Sequence, residues 1–433
     1  MLSKIKCEIL SKSLQNTYKV NQNDFSRSRK QSFSTTLLFM INFITKSLTI
    51  EIENFVNYIK KDCGFLNFKS FTKSAFVQYR KKIKPEVFKR LSSVIIDEFY
   101  NDNDAAIKLW KGFRILSVDG SRLTLPNTKD LRNKYGETKN QTKTSIVQAR
   151  VSILYDVLNK YVLDGTLSPL HIGENKLAKQ QLAYSKPKDL IIYDRGYPSY
   201  DLINEHNIKD IDYLMRVKIG FSSITKSFID SGKTSIIVNI YPGKNFNLTG
   251  KEYGRETPIK VRLVRIELSS GETELLITSL LDSKKYNYKI FKELYFKRWN
   301  VETFYDELKN KLKVEHFSGY SQQSIMQDFN AALFVSNVQA LIVSELQEEI
   351  EKTTKTCKYE YKVNTNLSYG FLKNRIIKLF FSDTNIEEVI DELKILFKQH
   401  LVPIRPNRKY QRNTGKYRKR ERPKITKNQK DAL

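Results

Sequence analysis

Phe113-Arg-Ile-Leu-Ser-Val-Asp119-Gly120 and Asp189-Leu-Ile-Ile-Tyr-Asp194-Arg195-Gly196 are short apolar runs that each reach an aspartate. Apolar runs of this length, bounded by turn chemistry, predict buried strands. The first run is expected to stop at Asp119-Gly120 and return as a second strand over Ser121 to Pro126, because Asp-Gly is a frequent turn. Ala149 to Asp156 and Tyr161 to Thr166 predict a hairpin across Leu158-Asn-Lys. Helices are expected over Glu174 to Tyr184 and Tyr200 to His206, and a strand over Tyr213 to Val217. Strands alternating with helices in this way imply an α/β sheet of mixed direction.

Outward from these runs the pattern changes twice. Residues 1–110 read as an α-helical N-terminal domain, with a buried helix from Thr35 to Leu48 and another pattern from Phe71 to Phe88. In the latter, Thr72 or Ser74 is positioned to cap a helix, and Pro85 to open the next. Its cluster of Arg80, Lys81, Lys82 and Lys84 reads equally as a solvated face or as a contact to a DNA backbone. Residues 111–217 form the first part of the α/β core, and 218–283 a β-rich insertion with strands over Ser235 to Tyr241, Ile259 to Leu268 and Glu274 to Ser279. Residues 284–400 complete the core with long helices over about 287 to 313 and about 322 to 350. The final segment, 401–433, is a basic tail. From Arg405 it carries twelve Lys or Arg against Glu421 and Asp431, and it reads as a disordered arm that meets phosphates.

The 433 residues suffice for two or three domains with a sizeable core. Hydrophobic residues make up 40% and charged residues 28%, with 24 Tyr and 25 Phe, which excludes a mostly disordered or collagen-like chain. Seventy-five Lys or Arg against 47 Asp or Glu give a net charge of +28, which calls for a polyanionic partner. The three cysteines, Cys7, Cys63 and Cys357, lie far apart and argue against both a disulfide framework and a thiolate zinc site. The longest apolar stretch, Leu37 to Ile44, is far shorter than the roughly 20 residues of a bilayer span. Nucleic acid is therefore expected as the partner rather than a membrane, with a cytoplasmic, nucleoid-associated location. His171, His206, His316 and His400 fit no metal-ligand spacing, and no phosphate loop of the GxxxxGKS kind occurs.

Three carboxylates stand out. Asp119 and Asp194 close apolar strands, and strand ends of an α/β sheet are where clefts open. Taken singly, Asp119 is explained as well by a turn, and Asp194 by a cap or an ion pair with Arg195. On the expected helix 287–313, Ile290, Leu294, Val301, Phe304, Leu308 and Leu312 share one stripe. Tyr295, Arg298, Glu302 and Lys309 share an adjoining arc, which puts Glu302 at the edge of the buried face. Asp306 lies near the same arc, so helical geometry alone does not choose between Glu302 and Asp306. Trp299 stands about 60° from Glu302. A core role for it is favoured over stacking on an extruded base.

The spacing Tyr295-x2-Arg298-x3-Glu302-x6-Lys309 resembles the YREK signature of the IS4-family DDE transposases of bacterial insertion sequences. Arg298-Trp-Asn-Val-Glu302 is similar to that family's Arg-Trp-x-Ile-Glu, with Val301 for the usual Ile. Asp119-Gly120 resembles its first acidic motif and Tyr193-Asp-Arg-Gly-Tyr197 its second. The resemblance implies an RNase H-like catalytic core with a β-rich insertion. Asp119, Asp194 and Glu302 would be the catalytic acids and the ligands of two Mg²⁺ ions, with Mn²⁺ as a substitute. Oxygen-only ligands suit such hard cations. Tyr295, Arg298 and Lys309 would be DNA-binding residues beside the cut. The implied activity is cut-and-paste transposition by phosphodiester hydrolysis and strand transfer. Its implied partners are double-stranded DNA, as terminal inverted repeats and target, and a second protomer in a synaptic complex. Two other readings are a nuclease of the same fold and a catalytically inactive or domesticated DNA-binding protein.

Overall fold

A computed structural model describes residues 1–27, 30–102, 106–139, 145–244, 246–268, 271–381 and 385–405. The basic segment after Arg405, read above as a disordered arm, lies outside the described residues. The chain divides into two compact units. One comprises Ala106–Leu123 and Ala149–Tyr305, the other Met1–Ala105, Thr124–Gln148 and Asp306–Leu433.

The strands are β1 (Arg114–Leu125), β2 (Thr138–Lys139), β3 (Ser145–Asp156), β4 (Val162–Pro169), β5 (Asp189–Tyr193), β6 (Asp212–Val217), β7 (Ser235–Ile240), β8 (Ile259–Glu267) and β9 (Thr273–Thr278). They order as β2-β3-β1-β5-β6-β9-β8-β7, with β4 also on β3. β1, β5 and β6 run parallel, whereas β6, β9, β8 and β7 alternate in direction. The three strands of segment 218–283 extend the core sheet through the pairing of β9 with β6. β5 is buried on both faces, which explains its unbroken apolar run.

The Asp-Gly reversal expected at 119–120 does not occur. β1 continues through both residues to Leu125. A two-residue reversal there needs a left-handed glycine, and Gly120 has no such φ. The hairpin between β3 and β4 forms where expected, and the Asp156 carboxylate ties its turn by accepting from the Leu158 and Asn159 N–H groups.

Buried ions pin the register of β1 on β5. Arg114 and Asp189 are register partners at the start of the pair. Nε of Arg114 donates to Oδ1 of Asp189 at 2.8 Å and Nη2 to Oδ2 at 2.6 Å, with both side chains buried. A one-residue slip would break this two-pronged bond and turn every side chain of β1 to the other face.

The second unit is mainly helical. Helix Phe33–Ile41 is buried on nearly every side and capped by Ser32. It ends earlier than the pattern to Leu48 predicts, because Phe43 takes a left-handed φ of 56° that no right-handed helix can continue. Phe39 packs edge-on against Phe55, Phe71 and Phe76. Thr72 caps helix Lys73–Arg80, and Val87–Asp102 follows Pro85. A two-stranded pair, β10 (Glu360–Val363) with β11 (Leu401–Ile404), closes the C-terminal helices.

Arg80 is not a surface cation. It is 3% exposed. Its guanidinium donates to Gln327, Ser318, the Ser324 carbonyl and Asp328. With four of its five donors committed inside the protein, it cannot serve a DNA backbone. Helix Gln322–Thr353, which supplies Gln327 and Asp328, is long and apolar enough by length and composition to cross a bilayer. The expectation from the shorter Leu37 to Ile44 stretch missed it. Since 78% of its most apolar stretch is buried inside the protein, it packs as a core helix.

Together these elements make an α-helical N-terminal region followed by a mixed sheet flanked by further helices. That order is consistent with an RNase H-like α/β fold with insertions.

The ion pair under β1 and β5 gives a direct test. Arg114→Met leaves Asp189 charged and buried without its cation, and should cost about 3–5 kcal/mol in urea unfolding. Adding Asp189→Asn, which can still accept the Lys186 N–H, should restore at least half of the loss. A double variant no more stable than Arg114→Met would show that a buried, unpaired Asp189 is not what destabilises the single variant.

Candidate active site

The pairing of β1 with β5 runs from Arg114↔Asp189 to Val118↔Tyr193. Continuing the register by one residue sets Asp119 beside Asp194, at the carboxyl end of the parallel strands. Asp119 is half-buried, and its Oδ1 accepts the Gly120 N–H at 2.9 Å. Burial raises its pKa to about 6; the Gly120 hydrogen bond and the Arg298 guanidinium pull it down, and the Glu302 and Asp194 carboxylates push it up. The three acids and Arg298 thus share one electrostatic neighbourhood. Oδ1 of Asp194 accepts from the Tyr295 hydroxyl at 3.2 Å.

The expected single helix over 287–313 is broken. Helix Ile290–Phe296 ends at Lys297–Arg298, helix Trp299–Asp306 follows, and a π-helical turn spans Glu307–Lys311. Glu302 lies in the first turn of the second piece with its side chain 37% exposed, between buried Val301 and Phe304. Asp306 is exposed and accepts from Asn310. The stripe residues Leu294, Val301, Phe304 and Leu308 are buried, whereas Ile290 and Leu312 are only half-buried.

Arg298 is the hub. Its Nη2 donates to Glu302 Oε1 at 2.6 Å, and only 6% of its side chain is exposed. Burial alone would lower its pKa, but Tyr295, Glu302 and Asp194 outweigh that and raise it. Its guanidinium lies 5.1 Å from the centre of the Trp299 ring and 5.9 Å from that of Tyr295. Nε of Arg298 is buried with no hydrogen-bond partner. Trp299, read from sequence as core, is instead 41% exposed. Lys309 belongs to the other unit, where burial lowers its pKa against the opposing pull of Glu315.

Several neighbours were not legible as site residues. The Tyr305 hydroxyl donates to the Asp119 carbonyl at 2.8 Å, tying the Glu302 helix to β1. Its only sequence signal is a hydroxyl three residues after Glu302 in an otherwise apolar stripe. Glu174 opens a helix next to β1, forms a 2.9 Å ion pair with Arg150, and lies over Gly120. A Cβ on Gly120 would meet Glu174 Cδ at 2.8 Å, so a larger residue there would have to displace the flexible Glu174 side chain, and the glycine reflects close approach and not a turn. Behind β5, Tyr193 and a fully buried His206 share a 2.9 Å hydrogen bond.

The donor set is chemically suited to a hard divalent cation: three carboxylates, one of them raised in pKa by burial and by the other two. As positioned, however, Arg298 is the cation among them. Among the described residues no group of three or more His, Cys, Asp or Glu is disposed to hold a metal ion.

The family described as transposase DDE domain matches residues 110–338, just over half of the chain. The chain belongs to that family. The matched segment of the transposase DDE domain contains Asp119, Asp194 and Glu302, and the first 109 residues lie outside it. Transposase InsG for insertion sequence element IS4 from Escherichia coli K12 is 20% identical over 241 residues, covering 55% of this chain and 53% of that protein. The chain thus spans about half the length of this relative. The transposase for insertion sequence element IS231F from Bacillus thuringiensis subsp. israelensis is 17% identical over 344 residues, 70% of each chain. A solved piggyBac transposase synaptic complex with hairpin DNA covers 90% of this chain and 84% of its own at 10% identity, with a TM-score of 0.40.

The contact between Gly120 and Glu174 predicts a coupling. Gly120→Ala should push Glu174 off Arg150 and lower stability by about 1 kcal/mol, whereas the same change in a Glu174→Ala background should cost much less. A double-mutant cycle by urea unfolding measures the difference. No coupling would mean that Glu174 yields without cost.

Proposed function

We propose that this chain is an IS4-type DDE transposase that cuts DNA at the ends of an insertion sequence and joins the freed ends to target DNA. The observation that carries this reading is the neighbourhood of Asp119, Asp194 and Glu302 around one buried arginine, at the carboxyl end of parallel strands. Membership of the transposase DDE domain family and a net charge of +28 support it.

In this reading Asp119, Asp194 and Glu302 hold two Mg²⁺ ions, or Mn²⁺ in their place. When bound, the ions would supply charge compensation for the acids and activation of the attacking and leaving oxygens. The residues of the chain do the rest. Arg298 presents a planar fork to phosphate oxygens, Lys309 a point charge, and Tyr295 a hydroxyl that already lies against Asp194. Water attacks the phosphorus at the element end, the bond to the 3′ oxygen breaks, and a 3′-hydroxyl leaves. That hydroxyl attacks a phosphorus of the opposite strand and closes a hairpin as the flanking DNA leaves with its 3′-hydroxyl, a second water reopens the hairpin and frees the 3′-hydroxyl, and this joins target DNA as a target 3′ oxygen leaves. No enzyme side chain becomes covalently attached. Terminal inverted repeats, target DNA and a second protomer are the proposed partners, and the cytoplasmic nucleoid the proposed location.

A second reading is a catalytically inactive DNA-binding descendant, or a nuclease that cuts without joining. The inactive form is favoured by the absence of a metal-holding cluster among the described residues. Mg²⁺-dependent cleavage of DNA carrying the element's end separates the active forms from the inactive one, and joining to a second DNA separates transposase from nuclease. Glu302→Gln should abolish cleavage, by more than about 10³-fold, with end binding retained within a few-fold. Cleavage at the wild-type rate would remove Glu302 from the proposed triad. Deletion of residues 405–433 should weaken end binding and flatten its salt dependence, because fewer counterions are released. An unchanged salt slope would show that this basic segment touches no phosphate.

A further inference from the structure

We propose that a groove between β8 and the start of helix Ile290–Phe296 binds one unpaired DNA nucleotide, with its phosphate on Arg265, Lys289 and Lys292 and its base on Tyr288. The proposal rests on the reading of DNA as partner and adds a subsite to it. The groove has a volume of about 420 Å³ and lies within the sheet-bearing unit. That volume falls within the roughly 300–1,000 Å³ of small-ligand sites. It can take a nucleotide but not a duplex.

The lining selects an anion with an aromatic part. Arg265, Lys289 and Lys292 supply three cations against one carboxylate, Glu267. Lys289 and Lys292 are exposed, and Tyr288 is half-buried beside them. Arg265 is only partly satisfied. Its Nη2 reaches Glu267 Oε1 at 3.1 Å, but its Nε is buried with no hydrogen-bond partner. Lys292 reaches the Glu267 carbonyl at 3.0 Å, which holds its ammonium at the groove wall. A phosphate would meet the exposed Lys289 and Lys292 and compete for Arg265 Nη2 with a single exposed carboxylate. Cations beside an aromatic face are the combination that single-stranded nucleic acid uses, phosphate on charge and base on ring.

The groove and the acids lie toward the same end of the sheet: Val217, at the carboxyl end of β6, pairs with Leu275, which pairs with Arg265. Lys292 and Tyr295 are three residues apart on one helix, about 4.5 Å of rise. The Tyr295 hydroxyl bonds Asp194. β6 and β9 lie between β5 and β8, so about 14 Å of sheet separates Asp194 from the groove, a gap that this one helix bridges through Tyr295 and Lys292.

The test uses the full chain and a fluorescein-labelled twelve-residue oligothymidylate in EDTA, read by anisotropy, so that no cleavage intervenes. The Lys289→Ala/Lys292→Ala variant should bind about tenfold more weakly at about 0.1 M salt, with the salt slope reduced by about 1.4. Tyr288→Ala should lose about tenfold with the salt slope unchanged, since stacking releases no counterion. Glu267→Gln should bind about twofold more tightly. Lys218→Ala/Lys226→Ala, the same charge loss on exposed lysines outside the groove, should change affinity less than twofold. Equal weakening by the two lysine pairs, an inert Tyr288→Ala, or no binding by the wild type would overturn the groove. If these effects hold while DNA carrying the element's end is never cleaved, the catalytic reading fails and the groove stands.

Discussion

The buried, two-pronged bond between Arg114 and Asp189 is the constraint from which the rest of the site follows. It joins the first residues of two parallel strands and so fixes how the chain aligns where their pairing ends. Five residues further along, the same alignment brings Asp119 to Asp194. Parallel strands tolerate no partial slip, since moving one residue reverses every side chain. Two acids that burial and mutual repulsion would drive apart are held together by an ion pair of opposite charges at the far end of the strands. Burial, with a smaller push from Glu302 and Asp194, raises the pKa of Asp119 to about 6.

Much of this was legible in the chain because strand burial is written in apolar runs. Asp189 to Tyr193 reads as a buried strand, and it is one, closed in on both faces. What misled was local chemistry read without its surroundings. Asp119-Gly120 has the composition of a turn, yet the glycine answers to Glu174, 54 positions away in the sequence, which occupies the space a side chain would need. Arg80 sits in a run of cations, yet its partners lie more than 230 residues further on. A helical wheel assumes one unbroken helix, and the break at Lys297–Arg298 shifts the phase on which the arc of Tyr295, Arg298, Glu302 and Lys309 was drawn. Glu302 keeps its place at the edge of the buried face because it and its buried neighbours Val301 and Phe304 lie on the same side of that break. Long-range partners leave no periodic trace, and this is why Tyr305 and Glu174 were not legible.

Arg298 has two possible tasks, and its hydrogen bonds distinguish them. A purely structural Arg–Glu pair would be expected to satisfy every buried donor, since leaving one unpaired costs about 1–3 kcal/mol. Arg298 instead bonds Glu302 through one nitrogen and leaves Nε buried without a partner, between the rings of Tyr295 and Trp299. The orphaned donor lies beside three carboxylates, none of which it engages. A guanidinium held in this way balances the acids' charge and keeps one covered donor, which an acceptor from outside the chain could reach only if Arg298 moved. Under the proposed function that acceptor is a phosphate oxygen. The same arginine that stands among the acids as their cation would then turn that donor to the substrate, beside the exposed ring of Trp299.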